Sequence, residues 1–140
     1  MPRSADVIEN ALSWQGVPWR HQGRSRSGID CIGLVITLAH ELGLSDFDTH
    51  AYNRSPDGVN FLSGFKSHMD RVPPGDEKPG DVVVLRDQTL PCHCGILVWF
   101  RNTFYLVHAA AKSRKVVMDL FDGDLKSRKI AIFRYRGLEE

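Results

Sequence analysis

The segment from Cys31 to Leu42 constrains the fold of this chain more than any other feature, because it is apolar almost all round a helix. Its apolar side chains fall on every side of the helical projection: Ile32, Leu34, Val35, Ile36, Leu38, Ala39 and Leu42. A helix of this kind is buried inside a protein rather than laid on its surface. Gly43 supplies a C-terminal stop, so the sequence predicts a buried central helix with other elements packed around it.

A cysteine opens this predicted helix. The unpaired amides and the positive dipole at a helix N-terminus stabilise a thiolate, which lowers the thiol pKa below the ~8.5 of free cysteine. Cys31 is therefore the first candidate for a catalytic nucleophile. The alternative is that Cys31 is simply a small buried apolar residue.

Length and composition restrict the class of protein. The chain of 140 residues fits one domain, 1–140, with 42% hydrophobic and 25% charged residues and a net charge of +1. This charge balance gives no case for a nucleic-acid partner. The longest apolar run is far shorter than the ~20 residues that cross a bilayer, so no membrane partner is expected, and no motif calls for a cofactor. The three cysteines are an odd number, which leaves at least one thiol outside any internal disulfide.

The N-terminal half has helical periodicity. Apolar residues at 7, 8, 11 and 12 follow Ser4, a candidate N-cap, and Gly16-Val17-Pro18 ends that helix. Residues 19–28 form a basic, glycine-bearing loop and residues 45–58 a surface excursion, and apolar residues from Phe61 to Met69 indicate another short helix.

The C-terminal half has short segments rich in Val, Ile, Phe and Tyr, which predict five strands: 81–86, 93–100, 103–110, 115–121 and 129–136. Arg101-Asn102 predicts a tight hairpin, and Asp122-Gly123-Asp124 a second turn. Helices followed by strands indicate an α+β fold, in which N-terminal helices and a buried central helix pack on a five-stranded antiparallel sheet.

Two histidines could serve the cysteine as base and orienting group. Strand alternation puts His93 and Gly95 on one face, and Gly95 leaves space there for a group that must approach closely. If residues 101 and 102 form the hairpin turn, residue 93 lies opposite roughly residue 110, which is close to His108. A paired His93 and His108 would give a base oriented by a third polar group. The alternative is that each histidine has only a structural role.

Cys92 and Cys94 flank His93 and raise the question of a metal site. Neighbours on one strand point to opposite faces, and the usual zinc spacing is Cys-x2-4-Cys. The spacing therefore argues against a metal, and none is expected.

An ordered series of motifs spans most of the chain: Gly16-Val17-Pro18-Trp19, Gln22-Gly23, Asp30-Cys31-Ile32-Gly33-Leu34-Val35, Pro79-Gly80-Asp81, His93-Cys94-Gly95-Ile96 and His108-Ala109. In this order the series resembles the NlpC-type cell-wall cysteine peptidases, the NlpC/P60 family. The resemblance implies a papain-like fold with Cys31 as nucleophile, His93 as base and His108 as the group that orients it. It implies a thiol-dependent endopeptidase whose partner is the peptidoglycan stem peptide, typically cut after γ-D-glutamate.

The chain departs from the family pattern beside the nucleophile. Trp19 replaces a tyrosine and Ile32 replaces a serine, whereas Asp30 remains as an anionic contact for the substrate. We therefore expect a preference different from the typical stem with a free amine. The main-chain amide of Cys31 is expected to form half of the oxyanion hole, with Gln22 or Trp19 as the second donor. Cys94 stands at an aliphatic position of the family, which core packing explains.

The loop before the nucleophile carries four basic residues: Arg20, His21, Arg24 and Arg26. They could bind the carboxylates of peptidoglycan, or they could form a solvated basic loop.

The N-terminal sequence lacks the pattern of a secretory signal, so the protein is expected to be made in the cytoplasm and carried to the wall by another assembly. The loop His21-Gln22-Gly23-Arg24 and the altered pocket resemble phage-tail or gene-transfer-particle members of the family. That resemblance implies a virion or tail-like particle acting in the periplasm or cell wall, with tail hub or baseplate proteins as partners. The alternatives are an inactive tail hub or plug protein, a Cys-His amidase or acyltransferase, and a host enzyme that recycles wall peptides.

Overall fold

A computed structural model describes residues 1–52, 58–86 and 91–140. Its helices are α1 (Ser4–Ser13), α2 (Cys31–Glu41), α3 (Gly58–His68) and α4 (Gly123–Ser127). Its strands are β1 (Arg24–Ser25), β2 (Gly28–Ile29), β3 (Asp70–Val72), β4 (Val82–Arg86), β5 (Pro91–Phe100), β6 (Thr103–Ala110), β7 (Lys115–Leu120) and β8 (Lys129–Arg134).

The main sheet is antiparallel and has the strand order β3-β8-β4-β5-β6-β7. All five predicted strands are present in it. The expectation of five strands misses β3, which pairs Val72 with Ile132 of β8 at the edge of the sheet. Its three residues include Asp70 and Arg71, so it is too short and too polar to give a strand pattern.

The prediction of a buried central helix is confirmed. Leu34 and Leu38 in α2 are fully buried, and the helix ends at Leu42 and Gly43, whose φ of 70° suits glycine. α2 packs with α1 and α3 against one face of the sheet and forms the main core. The nucleophile candidate is therefore held at the end of a rigid element.

The other face of the sheet carries a second, smaller apolar cluster that includes Val83, Leu85, Leu97 and Leu106. Because both faces of the central strands are buried, the sequence of β4 is continuously apolar from Val82 to Leu85 rather than alternating.

The hairpin between β5 and β6 has the predicted tight turn. Phe100 pairs with Thr103, and Arg101 and Asn102 have φ angles of 52° and 63°, as a type I′ turn requires. A Cβ at Gly95 would lie 2.7 Å from Leu106 Cγ and 2.9 Å from His108 Cβ. The expected space at Gly95 is therefore confirmed, and β6 side chains fill it.

Three local expectations differ from the structure. The loop 19–28 contains the short β1–β2 hairpin, which pairs Arg24 with Ile29. The turn at 122–124 begins α4, with Asp122 as its N-cap. The N-cap of α1 is Arg3 rather than Ser4, and the Arg3 amide donates to Asp6 Oδ2 over 2.8 Å.

The predicted excursion at 45–58 is only partly described, since residues 53–57 lie outside the described residues; residues 45–52 have neither helix nor strand. Among the described helices, none combines the length and the apolar character needed to span a bilayer.

Candidate active site

Asp30 fixes the start of α2. Its carboxylate is 4% exposed and caps the helix by accepting the Gly33 amide over 2.7 Å. It also accepts the Gln22 amide over 2.7 Å and the Tyr52 hydroxyl over 2.9 Å. The Arg24 guanidinium lies 3.4 Å away and offsets its charge. The loop before the nucleophile and the segment that contains Tyr52 are thus fastened to the same helix end.

The loop backbone runs directly over the first turn of α2. A Cβ at Gly33 would collide with the carbonyl oxygen of Gly23 and would lie 3.0 Å from Asp30 Oδ1. The Gly in the motif after the cysteine is therefore required by this close approach.

Cys31, the first residue of α2, is partly buried and carries an acidic thiol. Hydrogen bonding with the Cys94 thiol, followed by the hydrogen bond and charge of His93, lowers the pKa of Cys31 to about 5, although burial and the Asp30 charge act in the opposite direction. The expectation of a lowered thiol pKa is confirmed. The cause differs from the expected one, because side-chain neighbours lower the pKa and the largest contribution comes from a neighbouring thiol rather than from the helix start.

Cys94 lies in the main core beneath the nucleophile. Its side chain is fully buried, and its Sγ donates to the main-chain oxygen of Cys31 over 3.2 Å. Burial raises the pKa of the Cys94 thiol well above its usual value, so it stays protonated, and its single S–H can bond either the Cys31 oxygen or the Cys31 thiolate. Core packing accounts for its burial, but the contact with Cys31 was not foreseen.

His93 and His108 lie side by side, as predicted. His93 Nε2 is 2.7 Å from His108 Nδ1, and the two rings are tilted by 63°. Ile96 pairs with Val107, so the residue opposite His108 on β5 lies two positions after His93. The two imidazoles therefore meet diagonally across β5 and β6.

Asp119 extends this pair and was missed by the sequence analysis. His108 Nε2 lies 2.8 Å from Asp119 Oδ2, while burial lowers the pKa of the His108 imidazole. Asp119 is on β7, two residues after Val117, which pairs with His108. Its sequence signal is a carboxylate that directly follows the apolar run Val116-Val117-Met118.

Gln22 and Trp19 have structural partners within the protein. Gln22 Nε2 donates to the oxygens of His50 and Tyr52 over 2.6 and 2.9 Å. The Trp19 amide donates to the Arg114 oxygen over 2.9 Å, and its side chain packs against the main core. Substrate or oxyanion contacts by Gln22, Trp19 and the buried Asp30 remain predictions.

Two of the four basic loop residues are used within the protein. Arg24 donates to Asp48 Oδ1 over 2.9 Å and to the Thr49 oxygen over 2.7 Å. Arg26 stacks 3.7 Å above the Trp14 ring and donates to the Ser13 oxygen. Arg26 is nevertheless exposed, and binding of peptidoglycan carboxylates by the basic loop stays a prediction.

Two cavities border the site. One of about 430 Å³ is mostly apolar and includes Ile32, the residue after the nucleophile. The other, of about 400 Å³, is lined by His93, His108 and Asp119 together with Lys112 and Arg128.

A cysteine at the start of a buried helix, facing a histidine pair on an antiparallel sheet, defines a papain-like α+β protein. The chain belongs to the NlpC/P60 family, whose model matches residues 16–134.

Solved structures have the same fold at low sequence identity. A protein similar to an NLP/P60-family lipoprotein from Staphylococcus aureus aligns with a TM-score of 0.68 at 15% identity, over 98% of this chain and 42% of its own length. The NlpC/P60 domain of peptidoglycan hydrolase SagA aligns with a TM-score of 0.66 at 16% identity, over 94% of this chain and 97% of that domain. An N-acetylmuramoyl-L-alanine amidase from Bacteroides uniformis aligns with a TM-score of 0.63 at 16% identity, over 95% and 98%.

This chain thus spans about two fifths of the staphylococcal protein and nearly all of the other two. No curated protein shows significant sequence similarity to it.

Proposed function

We propose that this protein is a thiol-dependent peptidoglycan hydrolase that cleaves amide bonds in stem peptides. The observation that carries the proposal is the acidic Cys31 thiol beside the His93–His108 pair, in a chain of the NlpC/P60 family. SagA is a peptidoglycan hydrolase and the Bacteroides protein is an N-acetylmuramoyl-L-alanine amidase, which supports a wall substrate.

The residues provide each step of acyl transfer. The Cys31 thiolate attacks the scissile carbonyl carbon, and the oxyanion that forms lies at the helix N-terminus, where the Cys31 amide can donate to it. The protonated His93 then gives its proton to the leaving amine as the C–N bond breaks, which leaves a thioester on Cys31. A water molecule attacks the thioester and gives a proton to His93, and cleavage of the C–S bond restores the thiolate and the imidazolium.

The test is a digest of defined muropeptides, read by mass spectrometry. Cys31→Ala should lower turnover by more than roughly 1,000-fold, because the acyl intermediate of the proposed mechanism forms on the Cys31 sulfur. Cys92→Ala is the matched control and should retain activity. Equal cleavage by the Cys31→Ala protein would exclude this mechanism, and a wild-type protein that cuts no muropeptide would favour the inactive hub or plug.

We further propose that the bond cut is a peptide bond within the stem, so that the enzyme is an endopeptidase. The support is the motif series shared with NlpC-type peptidases. An amidase would free the sugar-linked lactyl group, whereas an endopeptidase leaves it joined to peptide. The masses of the products from digested sacculi distinguish the two.

Carriage by a phage tail or tail-like particle, with hub or baseplate proteins as partners, is a separate proposal. It is supported by the loop 21–24 and by Trp19 and Ile32 beside the nucleophile. Peptides of this chain should appear in purified particles analysed by mass spectrometry. Their absence from particles that contain the other tail proteins would exclude this carrier.

A further inference from the structure

Three side chains from three neighbouring strands form one hydrogen-bonded line that ends beside the nucleophile. Asp119 on β7 bonds His108 on β6 over 2.8 Å, and His108 bonds His93 on β5 over 2.7 Å. His93 in turn is one of the groups that lower the pKa of the Cys31 thiol. Each ring nitrogen of His108 is therefore committed to one neighbour.

We propose that Asp119 is a positioning residue. It determines which ring nitrogen of each histidine carries the proton, and its negative charge offsets the positive charge of the His93 imidazolium. This inference rests on the proposed function for its catalytic consequence, but its proton positions follow from the hydrogen-bonded line alone.

The chemistry of the acceptors determines the proton positions. An ionised carboxylate can only accept a hydrogen bond, so the nitrogen that faces Asp119, His108 Nε2, carries the proton. In a neutral imidazole the second nitrogen is then an acceptor, so His108 Nδ1 accepts from His93 Nε2–H. His93 Nδ1 is the remaining ring nitrogen, and it is left to exchange a proton with Cys31.

The same line places a carboxylate at the end opposite His93. Burial keeps His108 neutral by lowering its pKa, so it transmits the influence of the carboxylate without ionising itself. Two negatively charged groups lie nearby: Asp119 contacts His108 from β7, and Asp30 lies behind Cys31. Two positively charged residues, Lys112 and Arg128, line the cavity that holds both histidines, and they disfavour a positive charge there. Without Asp119 these two cations would act on the histidines unopposed from that side.

The first readout is the imidazole tautomer, measured by long-range ¹H–¹⁵N NMR. Neutral His108 should carry its proton on Nε2 in the wild-type protein. Asp119→Asn retains an acceptor and should preserve this tautomer, whereas Asp119→Ala should give a mixture. Asp70→Asn, which changes an exposed carboxylate on β3, is the matched control and should change nothing. A wild-type His108 protonated on Nδ1, or an unchanged tautomer in Asp119→Ala, would overturn the proposal.

The second readout is the pH profile of kcat/KM on muropeptides, with Cys31 alkylation by iodoacetamide as a measure of the thiolate without substrate. Loss of the carboxylate charge should narrow the pH range over which the thiolate–imidazolium pair exists. The basic limb of the kcat/KM profile should therefore lie at lower pH in Asp119→Asn and Asp119→Ala. The expected loss in kcat/KM on muropeptides is about tenfold, the equivalent of one pKa unit, with KM unchanged. Asp119 is 54% exposed, so these variants should fold.

The two proposals can fail separately, because tautomers and alkylation require no substrate. If His108 has the expected tautomer and Cys31 alkylates rapidly but no muropeptide is cut, the proposed function fails and the role of Asp119 stands. If muropeptides are cut and the pH profile of Asp119→Ala matches that of wild type, the role of Asp119 fails alone.

Discussion

At the scale of single residues, the acidity of Cys31 depends on a neighbour that packing placed there. A helix start can lower a thiol pKa, but here the largest contribution is hydrogen bonding with Cys94. Because Cys94 is buried and remains protonated, its S–H can turn from the Cys31 oxygen to the Cys31 thiolate when the thiol ionises. One core side chain thus tunes the reactivity of the nucleophile.

Replacement of Cys94 should therefore change the reactivity of Cys31. Cys94→Val removes the donor and should raise the pKa of Cys31 above about 5, with alkylation at pH 4 about tenfold slower for each pKa unit. The thiolate is present at any pH above the thiol pKa. Alkylation of the Cys94→Val protein should therefore be slower than that of wild type at acid pH, and the difference should vanish at alkaline pH. Cys94→Ser retains a donor and is the matched control. Identical profiles for the Val and Ser variants would contradict this account.

At the scale of elements, Asp30 joins three segments that are distant in sequence. It caps α2, accepts the Gln22 amide of the preceding loop and accepts the Tyr52 hydroxyl. A carboxylate buried with this many donors is far more consequential than an exposed cap. Its position beside Cys31 means that the helix end and the loop that overlies it are held together.

Asp30→Ala should destabilise the fold by about 3 kcal/mol, from the lost cap and the hydrogen bonds to a charged acceptor. Urea denaturation measures the change in the free energy of unfolding. Asp122→Ala removes the N-cap of the short helix α4 and should cost under about 1 kcal/mol. A similar cost for both variants would show that Asp30 serves only as a cap.

At the scale of the whole molecule, one ion pair fastens the last strand to the middle of the sheet. Arg134 at the end of β8 contacts both oxygens of Asp81 over 2.7 and 2.8 Å, and Asp81 is 2% exposed. Asp81 also accepts the Lys78 amide over 2.8 Å. The motif Pro79-Gly80-Asp81 is thus a structural anchor at the start of β4.

Arg134→Met should lower the free energy of unfolding by about 3 kcal/mol, because it leaves the Asp81 carboxylate buried without its cation. Arg136→Met is the matched control: its partner Asp70 is 68% exposed, and the expected cost is below about 1 kcal/mol. Thermal denaturation of the two proteins, side by side, measures the difference. Equal melting temperatures would contradict the assignment of Asp81 as a buried anchor.

The elements that could be predicted were those with long, uniform patterns. The central helix is apolar all round, and the hairpin at Arg101-Asn102 lies between two apolar strands, so local sequence was sufficient for both. β3 and the β1–β2 hairpin were missed because two or three residues show no periodicity, and only pairing with a partner strand defines them. The start of α4 looked like a turn because a helix of five residues begins with the same residues as a turn.

Local patterns in the sequence predict the α+β class, the buried helix with Cys31 at its start, and the meeting of His93 with His108. These predictions need only the periodicity of each segment and the pairing of two strands across a tight turn. Tertiary packing is needed to place Cys94 beneath the nucleophile, to enclose Asp30 with Gln22 and Tyr52, and to add Asp119 to the histidine line. Those contacts join residues from separate elements, and their distances depend on how the elements pack, which no local pattern specifies.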